Sequence, residues 1–134
     1  MGAWGVGTFE NDTACDFAAE VAGRLNLSKI ECALDRVLNA VESYVEAPDG
    51  EEALAAAEIV ARLKNRPGAK TAYTEQIDLW VARMKTVPPV TLIDKARRGA
   101  TRIVLPPSEL LELWEESGDF DTWKASVNEL LRRL

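Results

Sequence analysis

From Asn11 to Leu25 the apolar residues Ala14, Phe17, Ala18, Val21, Ala22 and Leu25 recur at the three-and-four spacing of a single helix face. Asn11 or Asp12 stands where a cap is needed, and Asn26 where the helix would stop. A second face follows in Ile30, Leu34, Val37, Leu38, Val41, Tyr44 and Val45. Ser28 opens it, and Glu31 three residues on completes a capping box, in which hydroxyl and carboxylate each satisfy a first-turn N–H. Ala47-Pro48-Asp49-Gly50 breaks that helix. Asp49 with Glu52 repeats the capping pattern before the alanine-rich stretch Glu51 to Lys64, whose helix propensity is high throughout. Its Ala53, Ala56 and Ala57 carry so little bulk that another helix could approach closely.

Past a loop at Asn65 to Lys70, the chain's one candidate hinge, Tyr73, Ile77, Trp80, Val81 and Met84 mark a fourth helix that ends at Val87-Pro88-Pro89. Leu92, Ile93, Ala96, Ala100, Ile103 and Val104 make a fifth, weakened by Gly99 within it. After Pro106-Pro107-Ser108, a short sixth helix holds Leu110, Leu111, Leu113 and Trp114, with Gly118 as a left-handed terminator. Asp119 or Asp121 starts the last, where Trp123, Val127, Leu130, Leu131 and Leu134 repeat and Arg132 and Arg133 meet the negative end of the dipole. No segment alternates with a period of two. The expected fold class is all-α: a single compact domain over 1–134, a bundle of about seven helices entered through an extended Gly/Trp clasp over 1–10.

Composition narrows the function more than the fold. A chain of 134 residues, 47% apolar and 28% charged, can build its own core. Cys15 and Cys32 match no metal or redox spacing and read as small buried apolar residues rather than a disulfide or a reactive thiol. No basic, apolar leader and no run long enough to span a bilayer is visible, so a cytoplasmic location without membrane is expected. With no histidine, the commonest general base and metal ligand is missing, and triad-type catalysis is not expected.

The net charge of −6 is concentrated: residues 1–66 carry 12 acids and 6 bases, residues 67–134 carry 10 of each. An acidic half argues against nucleic acid and for a basic protein partner. Asp12, Asp16 and Glu20 stand four apart on one helix stripe, with Glu10 just before them. These four are the candidate binding residues. The stripe reads first as the solvated face opposite Phe17 and Val21, and second as a site for a hard cation. Lys95, Arg97, Arg98 and Arg102 form the basic cluster, without aromatic residues between them to stack bases, and read as a solvated face. Gly2, Gly5 and Gly7 around Trp4 match neither the dinucleotide nor the Walker spacing and lack a Lys. We read them as letting the main chain run close to the helices while Trp4 and Phe9 insert as apolar plugs. No cofactor and no metal is expected.

The opening Met1-Gly2-Ala3-Trp4-Gly5-Val6-Gly7-Thr8-Phe9-Glu10-Asn11-Asp12 resembles that of a family of small bacterial proteins classed as a domain of unknown function. The Glu46-Ala47-Pro48-Asp49 turn before the Ala-rich helix, and Glu112 to Gly118 followed by Trp123 and Leu130, are similar too. The resemblance marks Trp4, Gly5, Gly7, Phe9, Asn11 and Asp12 as a structural signature and implies a single-domain cytoplasmic protein with no activity to carry over. The expected function is a non-enzymatic protein-binding module, of the immunity-protein, antitoxin or inhibitor kind, that recognises a basic partner through an acidic face. The alternatives are a carboxylate-dependent metal-binding protein or enzyme using Glu10, Asp12 and Asp16, and a structural or oligomeric helper whose alanine-rich helix packs on a copy of itself.

Overall fold

The computed structural model describes residues 3–40 and 43–134. Gly2 of the opening glycines and Val41 of the second expected core face lie outside them. Seven helices follow in order among the described residues: α1 (Asp12–Ala22), α2 (Ser28–Leu38), α3 (Ala47–Leu63), α4 (Glu75–Met84), α5 (Val90–Ile103), α6 (Glu109–Glu116) and α7 (Phe120–Arg133). Among the described residues β pairing is limited to two isolated bridges, Ala3 to Asn11 and Val45 to Ser108. The all-α bundle is the fold the periodicity implies.

α3 organises it. From Ala53 to Leu63 every residue of this helix is buried, the pattern of a helix surrounded by others rather than lying on a surface. It touches all six other helices, most extensively α2 and α5. The alanines that seemed open to a second chain are therefore covered by the protein's own helices. α2 and α5 also meet each other, and there Gly99 has a purpose: a Cβ on it would sit 3.0 Å from Leu34 Cδ2 and 3.7 Å from Val37 Cγ2. Glycine inside α5 lets the two helices close up.

Several local expectations fail because tertiary partners take the side chains first. Asn26 Oδ1 accepts both the Ser28 N–H (3.1 Å) and the Ser28 hydroxyl (2.7 Å), so the Ser28–Glu31 capping box does not form. Glu31 instead reaches Lys95. α3 starts at Ala47, ahead of Asp49, with Pro48 in the first turn where its missing N–H costs nothing. The Ala47 N–H goes to Glu109 Oε1 of α6 at 2.7 Å, while Asp49 and Glu52 pair with Arg36. α1 stops at Gly23, leaving Leu25 87% exposed. α2 stops at Leu38, so Tyr44 is exposed and only Val45 is buried by its bridge to Ser108. Tyr73 precedes α4 and is exposed. Gly118 is not left-handed; α6 ends at Ser117, whose N–H and hydroxyl both return to Trp114 O. Left-handed residues stand instead at Asn65 just after α3, with φ 63°, and at Lys85 after α4, with φ 49°. Cys15 is half-buried and Cys32 exposed, and both are free thiols.

Candidate functional site

The opening segment folds back on itself. Trp4 N–H donates to Glu10 O (2.9 Å), Glu10 N–H donates to Gly7 O (3.0 Å), and Gly7 N–H donates to Glu10 Oε1 (3.0 Å). The Glu10 carboxylate thus lies over the loop, where a Cβ on Gly5 or Gly7 would collide with it. Asn11 then caps α1, its Oδ1 accepting the Ala14 N–H at 2.7 Å. Phe9 is buried to 4% exposure, as a plug should be, but Trp4 is not: 46% of it remains exposed, and its ring leans on Tyr73 with centroids 5.2 Å apart. The buried plug of the clasp is therefore Phe9, with Trp4 half exposed against Tyr73.

The carboxylates Asp12, Asp16 and Glu20 share one exposed face of α1, as the solvated-face reading expects, and Glu10 departs from it. Glu10 is turned toward the glycines, Asp12 and Asp16 are exposed on α1, and Glu20 pairs with Lys29 at 2.5 Å. The hydrogen bond from Lys29 holds the Glu20 carboxyl below its usual range. Among the described residues, no group of three or more His, Cys, Asp or Glu side chains is arranged to hold a metal ion. Between the aspartates, the Cys15 thiol donates to Phe9 O at 3.1 Å. Burial, and then Asp12 and Asp16, push that thiol up, away from the nucleophilic thiolate.

A denser acidic patch forms where three helices begin. Tyr44 donates to Glu112 Oε2 at 2.5 Å, and this bond, with Glu109 and Glu46 nearby, pushes the phenol up to about 12. Glu51 is 7% exposed, and desolvation raises its carboxyl, with Asp12 and Glu109 adding to the rise and Thr13 opposing it. The Tyr44–Glu112 and Ala47–Glu109 hydrogen bonds bring Glu109 and Glu112 in the first turn of α6 beside Glu46 at the start of α3, while Asp12 lies exposed at the start of α1. Acids at helix starts complement the dipole, which is why each is tolerated singly. Together they make one face of like charge.

Sequence reasoning passed over a third feature. Glu58 and Arg62 sit one turn apart on α3, 4% and 3% exposed, and pair at 2.8 Å. Arg62 also donates to Asp78 Oδ1 and Ala69 O, and its guanidinium lies over the Phe9 ring. Arg133, expected at the free end of α7, turns inward to grip both oxygens of Glu58, together with Glu129 and Arg66 O. The bonds to Glu58 keep Arg133 firmly protonated, and the bond from Arg133 lowers the Glu129 carboxyl. Gly68 N–H also goes to Glu58, so the loop expected as a hinge is tied down. This network floors a cleft of about 210 Å³ reaching to Gly7, Glu10, Thr71 and Ser126. Every polar arm of the two guanidinia has an acceptor, so the cluster holds the N-terminal loop, α3 and α7 together. The signal in the sequence was an opposite-charge pair four residues apart inside an otherwise apolar helix.

The basic cluster of α5 is in part the solvated face expected, Arg97 and Arg98 being exposed, but each of its side chains also has a partner within the fold. Lys95 pairs with Asp35 and Glu31 of α2, the bond to Asp35 raising its ammonium. Arg98 pairs with Asp94, and Arg97 donates to Leu134 O. Arg102 donates to Leu105, Ser43, Pro107 and Ala40 carbonyls, stapling the connection after α2 to the connection after α5.

A family model described as "Domain of unknown function (DUF4259)" matches residues 2–126. No curated protein and no solved structure matches the chain.

Proposed function

Because the chain belongs to the family described as a domain of unknown function (DUF4259), which assigns it no activity, we propose a role from its surface. It is a cytoplasmic, non-enzymatic protein-binding module, of the immunity-protein, antitoxin or inhibitor kind, that recognises a basic protein partner through its acidic face. The segment Trp4 to Asp12 is the family signature in this reading.

The observation that carries it is the gathering of Glu46, Glu109 and Glu112 around Tyr44, held by the Tyr44–Glu112 and Ala47–Glu109 hydrogen bonds, with Asp12 exposed at the start of α1. Like charges held together raise the free energy of the isolated chain, and a cationic surface laid on them relieves it. The neighbouring bases of α5 cannot do so, because they already serve Asp35, Glu31, Asp94 and backbone carbonyls. The partner's charge must come from outside.

The test is recovery of a basic protein with the tagged chain from its native host, repeated with the variant Asp12→Asn/Glu46→Gln/Glu112→Gln. Wild type should retain that protein at low salt and lose it by about 1 M, where the screening length falls to about 3 Å. The neutralised variant should fail to retain it even at low salt. Retention indifferent to salt, or equal retention by the variant, would overturn the reading.

A further inference from the structure

Trp4 is the one tryptophan of the described fold that stays exposed, at 46%, against 0% for Trp80, 6% for Trp114 and 2% for Trp123. Its position is fixed rather than loose, since its N–H is bonded to Glu10 O and its ring rests on Tyr73, itself 49% exposed. The rings are tilted by 52°, so they do not cover each other face to face. Glu10 places its carboxylate against Gly5, the residue after Trp4. The Gly7 N–H engages one oxygen of that carboxylate, a fraction of what a carboxylate can accept. The cleft beside Glu10 runs along Thr71 and Thr74, the residues on either side of Ala72 and Tyr73. Two half-exposed aromatic rings therefore stand in contact, and the Glu10 carboxylate packs against the residue that follows Trp4.

Resting on the protein-binding reading, we propose that Trp4, Tyr73 and Glu10 seat an arginine or lysine side chain of the basic partner. Cations are drawn to the faces of Trp and Tyr rings, and rigid aromatic residues are the side chains that most often dominate the energy of a protein interface. The chain already places the Arg62 guanidinium over the Phe9 ring, a contact of the same chemistry. A net charge of −6 supplies the complementarity that favours a cationic occupant over an apolar one.

Hexa-arginine peptide is the probe, and acrylamide quenching of tryptophan fluorescence reads Trp4 because the other three tryptophans are buried. The peptide should shield Trp4 from acrylamide. Tyr73→Ala and Glu10→Gln should each weaken peptide binding about two- to fivefold, and Trp4→Phe should bind better than Trp4→Ala. Peptide binding that leaves Trp4 quenching unchanged overturns the seat. So does wild-type affinity in Tyr73→Ala and Glu10→Gln while Asp12→Asn/Glu46→Gln/Glu112→Gln loses binding; in that case the acidic-face reading survives alone. No binding by wild type overturns both. Sedimentation showing a wild-type dimer that Tyr73→Ala converts to monomer would make the aromatic pair a self-association surface, and would overturn the seat as well.

Discussion

Phe9 and Trp4 stand five residues apart in one loop, yet burial assigns them different work. Phe9→Ala removes a ring that is 4% exposed and should cost about 3–5 kcal/mol of stability. Trp4→Ala should cost only about 1–2 kcal/mol, because roughly half of its surface already faces water. Urea melts of the two variants decide it; equal losses would put Trp4 back in the core. Tyr44 supplies the pH-dependent case. Its hydrogen bond to Glu112 exists only while the phenol is protonated, and the folded value of about 12 lies above the ordinary 10. That contribution is therefore complete below pH 10 and disappears as pH rises from 10 through about 12. In a Tyr73→Phe background, absorbance at 295 nm should show Tyr44 titrating late, and Glu112→Gln should bring the titration back toward 10.

At the scale of elements, the periodic faces were legible and the ends were not. Ile30, Leu34 and Val37 of α2, and Leu92, Ala96, Ala100 and Ile103 of α5, are buried where the spacing puts them. Capping was misread at Ser28 and Asp49 because a cap competes with every other acceptor in reach, and Asn26, Glu109 and Arg36 are not visible from a four-residue motif. Gly99 was read as a weak point, whereas the helix pair depends on it. Gly99→Ala gains about 1 kcal/mol of helix propensity but sets a methyl 3.0 Å from Leu34 Cδ2, a fully buried side chain that must shift to take it. The expected result is a net loss of about 1 kcal/mol, read by chemical denaturation. Adding Leu34→Val, which opens space, should shrink the Gly99→Ala penalty within that background. A stabilised Gly99→Ala protein would mean that α2 and α5 have slack.

For the molecule as a whole, the Glu58–Arg62–Arg133 network joins the N-terminal loop, the central helix and the last helix, so its loss is felt at a distance. Glu58→Gln leaves two largely buried guanidinia short of a counter-charge and should cost about 3–5 kcal/mol. Amide exchange should show added opening at residues 66–69 and around Gly7 as well as in α3; a variant that melts like wild type would make the network ornamental. The helical class, most of the buried faces, the alanine-rich helix and a cap at Asn11 or Asp12 were legible from the residues alone, because periodicity and propensity act within a few residues. Which charges are paired is settled by long-range contacts. Arg102, Lys95 and Arg133 read as surface charge, but partners 59, 60 and 75 residues away in the chain claim them, while Trp4, expected as a plug, stays half exposed. Burial and ion pairing depend on which distant segments meet, and a local pattern carries no record of that meeting.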